Sequence, residues 1–292
     1  MHLVITIAMN AILGMTFALL YSAGLITLGA AAFWGIGAYT SVLLVMKLGL
    51  SFWLALPLSA MVSGGAALML GTIIVRSPRL AFLILTLLIN CVLVEGLGGI
   101  EALGGWAGIM CVPKPNPIPV PFHTPIEFVD KVPYYYLILF LLLLTVVTFY
   151  AFYTSRIGRV WRAIKLNPSL AQSLGIYPYK YQLLAFVIAS TFAGLAGSFY
   201  AHYFQMVTPE TFSVLKSIHI QIYAILGGLN FYVMGPVIGS IIFTLVPEYL
   251  RIAKEVEPVI TGAVLILLVL FLPNGLAGIA GRFRRLASIF AH

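Results

Sequence analysis

Long apolar stretches separated by short polar ones run through nearly the whole chain. Nine have the length to cross the ~30 Å hydrocarbon core of a bilayer, which takes roughly 17–25 helical residues. They fall at about 3–22, 26–46, 52–75, 80–100, 134–154, 182–203, 212–229, 235–250 and 258–273. Hydrocarbon offers no water to backbone amides and carbonyls, so each stretch reads as a helix. The pattern therefore predicts an all-α polytopic membrane protein, a bundle of eight or nine transmembrane helices forming one domain over residues 1–292.

The seventh and eighth stretches are short and joined through Gly227-Gly228-Leu229-Asn230 and Gly235-Pro236. One long span, two short spans and two half-helices all fit that pattern. Charge separates them. With nine spans and the N-terminus outside, the cytoplasmic side holds Arg76, Arg79, Arg156, Arg159, Arg162, Lys165, Lys180, Arg282, Arg284 and Arg285, without an acid. The other face takes Lys47, Lys114, Lys131, Lys216, Arg251 and Lys254 together with every acidic residue. A single span over 212–250 would place the arginine-rich tail outside, against the positive-inside tendency. Two crossings are expected there.

Composition agrees with the class. The chain is 62% hydrophobic and 8% charged, with mean hydropathy +1.08, where soluble domains carry about a quarter charged residues. The net charge of +8 does not point to nucleic acid, because the basic residues cap apolar runs instead of alternating with stacking aromatics on a polar face. Cys91 and Cys111 define neither a disulfide framework nor a metal spacing. The N-terminus lacks the basic region and small-residue cleavage site of a removable signal.

Between the fifth and sixth stretches lies SRIGRVWRAIKLNPSLAQSLGIYPYK, residues 155–180, with five basic residues and no acid. Asn167 followed by Pro168 reads as a helix start, since Asn caps free amides and Pro suits the first helical position. Gly175 reads as the stop, because glycine takes the left-handed conformation without steric cost. The helix between, Pro168 to Leu174, is about two turns, with Leu170, Ala171 and Leu174 expected on one face. A short capped cytosolic helix with an apolar face is shaped to dock into a partner's groove. A basic loop that merely anchors its flanking spans accounts for the same composition.

The longest polar connection, 101–133, is expected outside the cytoplasm. Its run Pro113 to Pro121 has proline at every other position and should be extended and stiff, either a docking surface or a plain connector. Small residues crowd the second stretch and recur at four-residue spacing as Ser190, Gly194 and Ser198 in the sixth and as Gly235 and Gly239 in the eighth. Such spacing lets helix backbones approach closely. Polar residues at membrane depth are candidates for a solute path: Asn10, Thr27, Tyr39, His202, His219 and Gln221, and, all in the fourth stretch, Thr86, Asn90 and Glu95. No histidine pair has metal spacing, so no metal site is expected.

Several devices are absent from the sequence. It has no phosphate loop G-x-x-x-x-G-K-[ST], no H-E-x-x-H and no G-x-S-x-G. No catalytic residues are expected, nor a nucleotide cofactor bound by this chain. Energised work would draw on another subunit or on an ion gradient.

Leu28-Gly29-Ala30-Ala31-Ala32-Phe33-Trp34-Gly35-Ile36-Gly37-Ala38-Tyr39-Thr40 resembles a signature of branched-chain amino-acid ABC-transporter permeases of the LivM type. The likeness continues through Leu85-Thr86-Leu87, Gly104-Gly105 with Gly108-Ile109, and Gly158-Arg159-Val160-Trp161-Arg162-Ala163-Ile164 with Ala171 and Leu174-Gly175-Ile176. It resumes at Ala193-Gly194-Leu195-Ala196-Gly197, Leu226-Gly227-Gly228-Leu229, Gly235-Pro236-Val237 with Gly239, and Leu272-Pro273 with Gly275-Leu276. The matches are individually short; their order along most of the chain is specific.

The resemblance implies half of a transmembrane pore in the inner membrane, paired with a second permease. It also implies two cytosolic ATPase subunits that hydrolyse ATP and an extracytoplasmic solute-binding protein. The segment from Arg162-Ala163 through Pro168 to Gly175 would contact an ATPase, with Ala171 and Gly175 on the family's A-x-x-x-G positions. Two departures stand out. Lys165-Leu166-Asn167-Pro168-Ser169 occupies a place where members usually carry acids, and Cys91 stands where many have Glu or Gln. A gradient-driven transporter or channel is the first alternative, and an integral-membrane enzyme the second.

Overall fold

The structure is a computed structural model that describes residues 1–117, 128, 130–229, 231, 233–250 and 262. Among the described residues, ten α-helices follow in chain order. They are α1 (His2–Ser22), α2 (Ala30–Met46), α3 (Phe52–Ile74), α4 (Arg79–Gly99), α5 (Lys131–Thr154), α6 (Arg156–Leu166), α7 (Pro168–Ser173), α8 (Pro178–Phe204), α9 (Val214–Gly227) and α10 (Met234–Leu250). Among them α1, α3, α4, α5 and α8 are long and apolar enough to cross a membrane. The apolar α2, α9 and α10 are shorter. Eight expected stretches are thus helices, and the protein is an all-α, multi-pass membrane protein. Apart from Gly262, the ninth stretch, 258–273, and the arginine-rich tail lie outside the described residues.

The core forms around α1, α2 and α8, because the small residues there let backbones touch. A side chain added at Gly37 would run into the backbone of Gly194 on α8, and one at Gly197 into Trp34 O on α2. Ser63 of α3 closes the joint, donating to Phe33 O at 2.9 Å and Ser190 O at 2.8 Å. Hydroxyl bonds across helices of this kind replace the hydrophobic drive that lipid removes. The span α4 is the opposite case. It buries only Phe82, Thr86, Asn90 and Gly98, a single narrow stripe.

Two short helices begin inside the bundle. Between α1 and α2 the buried, non-helical stretch 23–29 needs partners for its backbone, since bare amides are not tolerated at that depth. It has them. Gln182 Nε2 donates to Ala23 O at 3.2 Å and Gln221 Nε2 to Thr27 O at 3.0 Å. Thr86 Oγ1 accepts Leu28 N–H at 3.1 Å, Thr27 Oγ1 accepts Gly29 N–H at 3.0 Å, and Ser217 Oγ accepts Ala31 N–H at 3.0 Å.

The second is α9, which is shorter than the stretch expected at 212–229. Phe212, just before α9, packs edge-on to Trp34 with ring centroids 4.9 Å apart, so the helix starts beside the middle of α2. Its 14 residues span about 21 Å at ~1.5 Å each, short of the hydrocarbon thickness. It folds back on α10, with Gly227 against Gly235 and Gly239 against Tyr223. Of the three arrangements open from sequence, a pair of short helices is formed. Lys216 is accordingly not at the outer face with the other outer cations. It lies next to Ser217 at the start of α2, with Nζ 5.8 Å from the centre of the Trp34 ring.

At the opposite end of the bundle from α6 and α7, a two-residue antiparallel pair joins β1 (Ile109–Met110) to β2 (Met206–Val207), a small strand element absent from the expected all-helical pattern. Here His202 fastens the outer connection. Its Nδ1 lies 2.7 Å from Pro113 O, which can only accept, so Nδ1 carries the proton. Nε2 then accepts from Ser41 Oγ at 3.0 Å, and Ser198 Oγ donates to Ser41 Oγ at 2.7 Å. The imidazole is a structural fastener. Residues 113–117 of the proline run are non-helical; the rest of it lies outside the described residues.

Candidate functional site

The segment 155–180 folds as two helices, the first of which the sequence reading did not resolve. Helix α6 starts where Ser155 Oγ accepts Gly158 N–H at 3.4 Å. Its apolar face, with Gly158, Trp161 and Ile164 buried, turns to the bundle, and Arg156 and Arg159 stay exposed. Trp161 Nε1 donates to Tyr181 O at 2.8 Å, tying α6 to α8. Arg162 Nη1 donates to Tyr153 O at 3.1 Å, tying it to the end of α5. Arg162 and Ala163 are both half-buried, and Ala163 lies between two buried residues, Trp161 and Ile164.

Helix α7 has the expected caps. Asn167 Oδ1 accepts Ser169 N–H at 3.0 Å and Leu170 N–H at 3.1 Å, with Pro168 in the first helical position. At the other end Gly175 takes φ +79°, Gly175 N–H bonds Gln172 O at 2.9 Å and Ile176 N–H bonds Ala171 O at 3.1 Å. These are the two bonds of a Schellman stop. The helix ends at Ser173, one residue before the expected limit.

The shared apolar face does not form as expected. Ala171 is 2% exposed, whereas Leu170 is 59% and Leu174 is 74% exposed. The reason is local. Leu174 is the C-cap, outside the regular helix, and the small Ala171 is the residue that fits against the bundle. Leu166 and Tyr177, on either side of α7, are exposed as well. Four large exposed apolar side chains within residues 166–177, with Lys180 Nζ 5.5 Å from the centre of the Tyr177 ring, make this stretch a candidate contact patch.

Behind this patch the helix ends converge. Arg79, the first residue of α4, donates from Nη2 to Lys165 O at 3.0 Å and to Ile164 O at 3.5 Å. Lys165 Nζ stands 3.7 Å from the centre of the Tyr21 ring at the end of α1. Burial lowers the Lys165 ammonium from its ordinary value, and the ring face supplies part of the lost solvation. Gly24, at φ +78°, leaves room for Lys165.

The three candidate path residues of α4 do not converge. Thr86 and Asn90 are buried one turn apart on the same face. The Thr86 hydroxyl is used in packing, donating to Leu83 O at 2.9 Å while it accepts from Leu28. Asn90 Oδ1 and Nδ2 are both buried, and neither has a hydrogen-bond partner among the described residues. Glu95 is exposed; five residues on, it points about 140° away from Asn90. Among the described residues no group of His, Cys, Asp or Glu is placed to hold a metal.

The signature residues sit along two seams. Gly29 backs onto Thr86 O, Gly35 onto Phe212 and Gly37 onto Gly194. Phe33 packs edge-on to Phe186 at 5.1 Å and Tyr39 to Phe212 at 6.1 Å. Gly227, Gly228, Gly235 and Pro236 form the turn region between α9 and α10, with Pro236 against Gly14 of α1.

Comparison with known proteins places the chain. The high-affinity branched-chain amino acid transport system permease protein LivM of Salmonella typhimurium is 28% identical over 293 residues, covering 94% of this chain and 67% of that protein. LivM of Escherichia coli matches over the same shares at 28%. The probable branched-chain amino acid transport permease protein LivH of Methanocaldococcus jannaschii is 30% identical over 147 residues, 47% of this chain and 46% of that one. No solved structure matches the chain. The profile of the family described as branched-chain amino acid transport system, permease component, matches residues 1–272, and the chain belongs to that family.

Proposed function

We propose that this permease subunit forms half of the translocation pathway of an inner-membrane ABC importer for branched-chain amino acids or related small polar solutes. A second permease supplies the other half. Two cytosolic ATPases, which hydrolyse the ATP, drive the pair, and an extracytoplasmic binding protein delivers the solute. One observation carries the reading. The stretch around the capped helix α7 presents Leu166, Leu170, Leu174 and Tyr177 to water, while the adjoining α6 is held to the bundle by Trp161, Arg162 and Arg79. Exposed apolar side chains beside a helix fastened to the bundle suit a lever pressed by another subunit.

Reconstitution tests it directly. Vesicles holding this chain, a partner permease and the two ATPases should take up leucine only with ATP and binding protein present. Uptake by this chain alone would favour a gradient-driven transporter instead.

On this reading Asn90 belongs to the path. A buried amide without partners costs roughly 1–3 kcal/mol per group, and a bundle that keeps one needs a reason. Asn90→Leu is expected to raise the melting midpoint of the purified complex and to slow uptake. A variant that melts lower would show that the amide is satisfied in the assembled protein and has no such role.

A further inference from the structure

We infer that Arg79 is the linkage through which the α6–α7 segment moves α4, and hence the positioning residue that converts docking motion into displacement of the span carrying Asn90. This rests on the coupling reading above and says which span receives the motion.

Three observations lead to it. The first is the placement of the arginine. A cation at the first position of a helix is repelled by the positive end of its own dipole, while the carbonyls ending another helix attract it. Arg79 begins α4, yet its guanidinium is spent on Ile164 O and Lys165 O in the last turn of α6. Its conformation is therefore set by α6. Among the described residues, these are the only hydrogen bonds between the two helices.

The second is the loose seating of α4. Its buried stripe meets the bundle through Phe82, whose ring lies 5.7 Å from Phe186, through Thr86 on Leu28, and through Leu93 beside Gly35. Ile84, Leu88 and Val92 on its other side are exposed. A helix held by one stripe tilts about that stripe more readily than α1 or α8, which are enclosed by neighbours. A pull at its first residue has leverage on everything above it.

The third is Asn90 itself. It sits on that same stripe, one turn beyond Thr86, with both amide atoms unpartnered. A tilt of α4 is the motion that changes what faces this amide, so the linkage joins the coupling surface to the one described α4 side chain whose polar atoms are unsatisfied.

The test uses the complete complex in vesicles, with ATP hydrolysis and leucine uptake measured on the same sample. In Arg79→Gln the ATPases should remain bound and binding-protein-stimulated hydrolysis should stay within about twofold of native, while uptake falls about tenfold. Arg79→Lys, which still offers a donor to Lys165 O, should recover much of the uptake. Arg76→Gln, whose guanidinium lies over the Tyr179 ring at 5.0 Å, should behave as native. Equal ratios of solute moved to ATP hydrolysed in Arg79→Gln and native protein would overturn the linkage. Loss of the ATPases from Arg79→Gln would overturn it differently, by making the arginine part of the docking surface.

Should Arg79→Gln fail to assemble, a measurement on the native arginine decides. With Cys91 and Cys111 replaced, spin labels at Ile84 on α4 and Leu58 on α3, both exposed, should change separation when ATP is added. An unchanged separation in a complex that still transports overturns the inference and leaves the docking reading standing. If Leu174→Asp also leaves uptake native, the docking reading has failed and the linkage falls with it.

Discussion

Leu174→Asp is expected to lower ATP-driven uptake by one to two orders of magnitude while the chain still inserts and pairs normally. Leu174 is 74% exposed and lies at the C-cap of α7, so aspartate there breaks no contact within the chain. The effect falls on the partner. Seating a carboxylate in an apolar groove without a hydrogen-bond partner costs at least the ~2–3 kcal/mol of an unpaired neutral polar group, and each 1.4 kcal/mol is about tenfold in affinity. Leu170→Asp should act alike, and the double variant more strongly. Co-purification of the ATPases with tagged permease measures docking, and vesicle uptake measures function. Native values of both would exclude this surface from coupling. Ala171 is the contrasting site. Being buried, it responds to Ala171→Arg by losing the seat of α7, so that variant reports on folding of the segment and not on docking.

Gly37→Leu should prevent recovery of folded protein. The glycine lies against the backbone of Gly194, and backbone cannot rotate aside as a side chain can. The two helices would have to separate, which also strips the Ser63 bonds to Phe33 O and Ser190 O. Overpacking a tight core costs typically 1–3 kcal/mol, and a backbone-to-backbone joint belongs at or beyond the upper end. Gly65→Leu, placed where nothing lies within 4 Å of the new side chain, serves as the control and should leave yield and melting unchanged. Monodisperse yield in detergent and the thermal midpoint measure both. A Gly37→Leu protein that melts like native would mean α2 and α8 are not joined there.

The sequence carried the class and the caps because both are decided locally. Apolar length forces a helix wherever water is absent, so α1, α3, α4, α5 and α8 follow from composition alone. Asn167, Pro168 and Gly175 mark α7 by their own backbone preferences. Helix α6 was missed for an equally local reason. Its basic residues obscured the spacing of Gly158, Trp161 and Ile164, whose common face becomes visible only once a bundle is present to bury it.

What faces what was beyond the sequence. Leu170, Ala171 and Leu174 have the spacing of one face, yet a neighbouring helix takes Ala171 and leaves the leucines to water. The apolar run at 212–229 counts as a span by length, but Phe212 and Ser217 fix its helix beside α2. Thr86 and Asn90 share a buried face of α4 that Glu95, on the same helix, does not. Arg79 reads as one more positive charge at a membrane edge, and its use by α6 depends on residues 85 and 86 positions away. The chain's own pattern of apolar and capping residues determined that it is a bundle of membrane helices with a short capped helix on one side. Tertiary packing decided which side chains that helix shows and which span it holds, because exposure belongs to a pair of surfaces and no single stretch of sequence contains both.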